Sequence, residues 1–177
     1  MRVFKFGGAS VKSASAVKNV AEVLRTQSDG PLLVVISAMG KITNKLESLV
    51  DAYYYNKEEK RVLYKEILNF HAEIIQDLQI AENEYYEVEN LLIELECIIE
   101  KKRDESSPYD TEYDRIVPFG ELISTKMVIT YLNKIGIPLN TDSTLKGQTV
   151  FLAERCAELM NENIITDRTI IDVMHSQ

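Results

Sequence analysis

The spacing of apolar positions changes several times along the chain, and each change predicts an element. Residues 2–6 read as a strand. The run Pro31-Leu32-Leu33-Val34-Val35-Ile36-Ser37 is short, apolar and β-branched, as in a strand covered on both faces. Between the two, Val17, Val20, Ala21 and Leu24 recur at helical spacing, with Ser13 or Ser15 available as N-cap and Asp29-Gly30 as the stop. Strand, glycine turn, helix and strand predict a right-handed βαβ unit in a largely parallel sheet.

A second amphipathic helix begins near Thr43 and carries Leu46, Leu49, Val50, Tyr53 and Tyr54. Two long helical patterns follow, Leu63, Ile67, Phe70, Ile74 and Leu78, then Val88, Leu91, Leu92, Leu95 and Ile99. The stretch from Ile80 to Asn83 is short enough to make them an antiparallel pair, so residues 56–102 read as a helical hairpin inserted into the strand and helix pattern. Its many Glu and Lys residues read as a solvated face. Residues 103–114 are polar and predict a loop. A further helix opens at Glu121, with Ile123, Met127 and Tyr131 inward, and Gly136-Ile137-Pro138 ends it. Beyond residue 140 the pattern offers a helix over 150–160 and a strand over 170–173. The fold class predicted is α/β, with one domain over residues 1–177.

Composition narrows the chemistry. The chain has 177 residues, 45% hydrophobic and 27% charged, enough for one well-buried domain. A net charge of −8 argues against sequence-independent nucleic-acid binding, which depends on lysines and arginines neutralising phosphates. No apolar run approaches the length of a membrane span, and no signal-peptide pattern opens the chain, so no membrane partner and a cytoplasmic location are expected. Cys97 and Cys156 lie far apart and read as free thiols of the core type. His71 and His175 are isolated, which predicts no metal site.

Three stretches carry candidate chemistry. Lys5 precedes Gly7-Gly8, and the next helix opens near Ser13, so amides of a side-chain-free turn could face an anion while the lysine supplies charge. Read blandly, Lys5 is a solvent-facing strand residue and the glycines are a tight turn. The spacing is neither the P-loop nor GxGxxG. A second turn, Ser37-Ala38-Met39-Gly40-Lys41-Ile42-Thr43-Asn44, also leaves a strand and enters a helix, and ligands of open α/β sheets sit where such turns converge. Phe119-Gly120-Glu121 puts a carboxylate at a third helix start, where capping alone would also explain it.

Together Lys5-Phe6-Gly7-Gly8-Ala9-Ser10-Val11, Ser37-Ala38-Met39-Gly40 with Thr43-Asn44, and Phe119-Gly120-Glu121 with Ser124 resemble the N-terminal part of the catalytic domain of aspartate kinases, in the amino acid kinase family. Ala9 stands where that family usually has threonine. Kinases of acetylglutamate, carbamate or uridylate share the opening, but the Thr-Asn turn and the Gly-Glu helix start point to aspartate. The resemblance implies a three-layer sandwich with a mainly parallel sheet, here incomplete. It also implies transfer of the γ-phosphoryl group of ATP to the side-chain carboxylate of L-aspartate, with Mg²⁺, and a homo-oligomer for the full-length protein. Lys5 would be catalytic and Gly7, Gly8, Ser10 and Gly40 would hold the nucleotide. Ser37, Thr43 and Glu121 would hold the amino acid, Glu121 through its ammonium.

From about residue 140 the family's pattern is not kept: the substrate-binding arginine, the later glycine-rich segment and the regulatory ACT domains are not found. Asp142 and Asp172 are weak stand-ins for acidic residues of that half. The expectation is a fragment or truncated form with weak or no activity of its own. The alternative is a non-catalytic amino-acid or nucleotide-binding or interaction module of the same fold.

Overall fold

The structure, a computed structural model, describes residues 2–26 and 32–137. Expectations at Asp29-Gly30, Cys156, His175, Asp142, Asp172 and the elements beyond residue 140 lie outside the described residues.

Strand β1 (Arg2–Phe6) pairs in parallel with β2 (Leu32–Ile36), in a register that sets Phe6 opposite Ile36. A short 3-10 helix (Gly8–Val11) and helix α1 (Ala14–Arg25) follow β1. Of the two serines available, Ser13 is the N-cap: its extended backbone lets its hydroxyl accept from the Ala16 N–H at 3.3 Å. Ala14, Val17, Val20, Ala21 and Leu24 form the buried face of α1.

After β2 the described chain is helical: α2 (Ile42–Tyr54), α3 (Lys60–Asp77), α4 (Tyr86–Glu100), α5 (Tyr109–Ile116) and α6 (Phe119–Lys134). Among the described residues the sheet is two-stranded, so the architecture is α/β and helix-rich. Three helices end on a left-handed residue that lets the chain satisfy the last carbonyls: Asn56 after α2, Gln79 after α3 and Gly136 after α6. Helix α3 runs antiparallel to α4. Arg61 near its start bonds both carboxylate oxygens of Glu100, Lys60 Nζ donates to Ile99 O at 2.9 Å, and the buried Tyr64 hydroxyl donates to Leu92 O at 3.1 Å.

The α3–α4 pair shares one core with the rest of the described chain, in which Leu46, Leu49, Ile67, Leu95, Ile99, Ile123 and Met127 are fully buried. Lys45 of α2 pairs with Glu66 of α3, and Lys126 of α6 pairs with Glu87 of α4 at 3.0 Å. His71, isolated in the sequence, is fully buried on α3. Its Nδ1–H donates to Ile67 O at 2.8 Å and its Nε2 has no partner. Burial holds its pKa down, to about 4.

Three expectations are corrected. Residues 103–114, read as a loop, contain most of α5. Pro108 stands at its N-cap, Asp110 and Glu112 lie in its first turn and Arg115 in its last, which is the charge order a helix dipole favours. Polar composition concealed the helix because its buried residues are only Ile116 and Glu112. Cys97, expected in the core, is exposed on α4. Helix α6 also starts earlier than Glu121, at Phe119.

Candidate functional site

Parallel pairing brings the carboxyl ends of β1 and β2 to one edge, so Gly7-Gly8 and Ser37–Gly40 leave the sheet side by side. The Ser37 N–H donates to Phe6 O at 3.0 Å and extends the ladder; the Gly40 N–H then donates to Gly8 O at 2.9 Å and ties one turn to the other. That approach requires glycine at position 8: a Cβ there would lie 2.7 Å from Ala38 O and 2.9 Å from Gly40 O. Gly40 has φ +56°, the left-handed conformation that opens α2, and it rests on the Phe70 ring of α3 and on Lys12.

Gly7 differs from both. Its backbone is extended (φ −72°, ψ 171°), a conformation any residue adopts, and a Cβ built on it meets nothing within 4 Å. The protein's own packing does not require glycine there, yet the residue faces open space directly over the turn. The N–H groups of Gly8 and Ala9 open a 3-10 helix and so lack intrahelical acceptors. Lys5 is exposed on β1 opposite Val35, and among the described residues no carboxylate pairs with it. Ser10 is half-buried in the 3-10 helix, its N–H donating to Gly7 O at 2.9 Å.

The start of α6 closes the third side. A Cβ on Gly120 would lie 2.9 Å from Ala38 Cβ and 3.0 Å from Leu46 Cδ1, so glycine lets α6 seat against the second turn and α2. Buried Ser124, one turn further, donates to Ser37 O at 2.7 Å. Replacing it with alanine removes the donor from a carbonyl at the strand end; a loss of about 1–2 kcal/mol in urea denaturation is expected. Glu121, half-buried in the first turn of α6, thus stands at the same rim as the glycine turns, and half-buried Thr43 lies in the first turn of α2.

The sequence-predicted residues Gly7, Gly8, Ser37, Gly40, Thr43 and Glu121 therefore gather at one sheet edge, with Lys5 one residue before the end of β1. The Gly40 N–H, assigned by resemblance to the nucleotide, is engaged with Gly8 O, so its observed role is to shape the turn. Sequence reading missed the neighbours on α5. Tyr113 donates to Glu47 Oε1 at 2.9 Å and Tyr109 donates to Asp51 Oδ1 at 2.8 Å, clamping α5 to α2. The Asp51 bond, then burial, pushes the Tyr109 phenol up to about 12; the Glu47 bond, then burial, raises that of Tyr113. The i,i+4 spacing of Thr43 and Glu47 was the available signal.

A cavity of about 320 Å³ opens between α3 and α4, lined by Leu68, Ile75, Tyr85 and Leu92 among others, and none of the sequence-predicted site residues lines it. Among the described residues there is no cluster of three or more His, Cys, Asp or Glu able to hold a metal, and no helix is long and apolar enough to cross a membrane.

Glycine turns, a strand-edge lysine and a helix-borne carboxylate thus lie toward the carboxyl ends of the parallel strands of an α/β protein, the edge at which open α/β sheets bind ligands. The chain belongs to the amino acid kinase family, whose model matches residues 1–172. The resemblance to aspartate kinases read from the three motifs is borne out. Aspartokinase 1, chloroplastic, of Arabidopsis thaliana is 34% identical over 139 residues, covering 76% of this chain and 24% of its own length. The aspartokinase of Chlamydia trachomatis is 31% identical over 152 residues, covering 86% of this chain and 32% of its own. Escherichia coli aspartokinase III in complex with aspartate and ADP superimposes with a TM-score of 0.65 at 27% identity, over 76% of this chain and 29% of that one. The chain thus spans about a quarter to a third of the length of these relatives.

Proposed function

We propose that this chain carries the phosphate-facing turn and the amino-acid-facing helix starts of an aspartate kinase, which moves the γ-phosphoryl group of ATP to the side-chain carboxylate of L-aspartate. The observation that carries the reading is Gly7, a glycine that neither its backbone angles nor its neighbours require, beside open space at the strand edge. A side chain there would stand where phosphate oxygens meet the turn.

Phosphoryl transfer of this kind depends on positioning and on stabilising charge that shifts in the transition state. A carboxylate oxygen of aspartate attacks the γ-phosphorus, the bond to the β,γ-bridging oxygen breaks, and ADP leaves as 4-phospho-L-aspartate forms. The Lys5 ammonium neutralises charge on the transferring group, and the N–H groups of Gly7 and Gly8 face phosphate oxygens. Gly40 acts by holding the turn, and Ser10 and Ser37 supply polar contacts. Thr43 and Glu121 hold the amino acid, Glu121 through its ammonium. Mg²⁺ would enter with the nucleotide phosphates and keep several of its waters, offsetting phosphate charge, and among the described residues no cluster of three or more His, Cys, Asp or Glu would hold it separately. In this reading residues 56–102 are an addition to a partial three-layer sandwich, and they back the site through Phe70 beneath Gly40.

Calorimetric titration with ADP and L-aspartate, together with aspartate-dependent ADP release, tests the reading. Any aspartate-dependent ADP release above background is expected to fall about a hundredfold in Lys5→Ala, the effect of removing one preorganised charge donor. Binding of both ligands with equal, background release in the two proteins would favour a non-catalytic binding module instead.

A further inference from the structure

Gly40 stands at the junction of the two turns with no side chain to fix its backbone. Its φ of +56° is one of several conformations open to glycine, and the 2.9 Å bond from its N–H to Gly8 O depends on that one being kept. The restraint comes from outside the turn. A Cβ built on Gly40 would lie 3.6 Å from Phe70 Cζ and 3.6 Å from Lys12 Cβ, so the Phe70 ring of α3 bounds the side from which a side chain would project. Phe70 lies within residues 56–102, the hairpin that interrupts the strand and helix pattern. The ring is itself held in place, with the His71 ring edge-on to it at 5.3 Å. Helix α3 is tied to three others: Lys18 Nζ of α1 donates to Asp77 O at 3.2 Å, Lys45 of α2 pairs with Glu66, and Tyr64 donates to Leu92 O of α4.

We propose that Phe70 is a positioning residue for the phosphate-facing turn, through which the helical hairpin sets nucleotide affinity as well as covering the core. This rests on the reading of Gly7 and Gly8 given above. The chain of contacts has three links. The ring limits the backbone of Gly40, the Gly40 N–H fixes the carbonyl of Gly8, and the same glycine carries one of the N–H groups that open the 3-10 helix without an intrahelical acceptor. Donors aimed at an anion keep their geometry only as far as the residues behind them are packed. Cutting Phe70 back to alanine opens a gap beside a residue with the widest backbone freedom of any, and the loss passes to the turn that it holds.

Amide hydrogen exchange read at Gly40 by NMR, without ligand, and calorimetry with ADP separate this role from simple packing. Phe70→Ala is expected to speed Gly40 exchange about tenfold and to weaken ADP binding about tenfold. Phe70→Leu, which restores part of the apolar bulk, is expected to recover most of both losses. Leu92→Ala removes apolar bulk from the same hairpin at the α3–α4 cavity, and it is expected to lower the melting temperature while leaving Gly40 exchange and ADP affinity at wild-type values. Equal Gly40 exchange in Phe70→Ala and Leu92→Ala would reduce Phe70 to a core residue and overturn the proposal. Faster exchange with wild-type ADP affinity would overturn it too, and the reading of Gly7 would stand. If wild-type protein does not bind ADP, both fall. Should Phe70→Ala fail to fold, Phe70→Leu decides by the same two measurements.

Discussion

Alanine at position 8 is expected to lower stability by about 3 kcal/mol, near the upper end of overpacking costs. Alanine at position 7 should leave stability unchanged or raise it by about 0.5 kcal/mol by restricting the unfolded chain. The new methyl at 8 would meet two backbone carbonyls at 2.7 and 2.9 Å, and neither can rotate away as a side chain could. Relief requires breaking the bond from Gly40 N–H to Gly8 O, and with it the junction of the two turns. The methyl at 7 meets nothing. Binding is expected to divide the other way for the folded proteins: Gly7→Ala should weaken ADP binding at least tenfold. Thermal melts and calorimetry on the two variants check both halves. Wild-type affinity for ADP in Gly7→Ala would remove the central support for a phosphate at that turn.

The second large effect is an acid-linked loss of stability centred on His71. Its folded-state pKa, about 4, lies below the ordinary 6.5, because a protonated ring would place charge and an unmatched Nε2–H in the core. The unfolded chain therefore takes up the proton first as the pH falls. The contribution is intact above about pH 6.5, declines between 6.5 and 4, and is lost below that. At about 1.4 kcal/mol for each pH unit it amounts to about 3 kcal/mol. Urea denaturation at several pH values is expected to show a shallower acid limb for His71→Leu than for wild type. Parallel limbs in the two proteins would assign the acid sensitivity to carboxylates.

The parts of the fold that were legible in the sequence are those where local signals and burial agree. Ser13 begins α1 as its hydroxyl and the following apolar period indicate, and the two strands fall within one residue of the hydrophobic runs. The three motif segments were found because each pairs a glycine with a helix start. Helix α5 was hidden because tyrosine-to-carboxylate bonds, formed across sixty residues of sequence, hold it to α2 more than an apolar stripe does. For the same reason Glu47 and Tyr113 were invisible as a pair. The glycines looked alike in the sequence, but their causes differ: contact with carbonyls at 8, a left-handed angle at 40, helix packing at 120 and open space at 7. Only coordinates separate these.

The hydrogen bond from the Gly40 N–H to Gly8 O, which joins the two turns, also bears on kinetics. Loops fastened to each other during folding have already lost the freedom that a ligand would otherwise have to remove on arrival. In the proposed reading an incoming anion would meet a rigid socket, so capture at that end should proceed in one rapid phase whose rate rises linearly with ligand concentration.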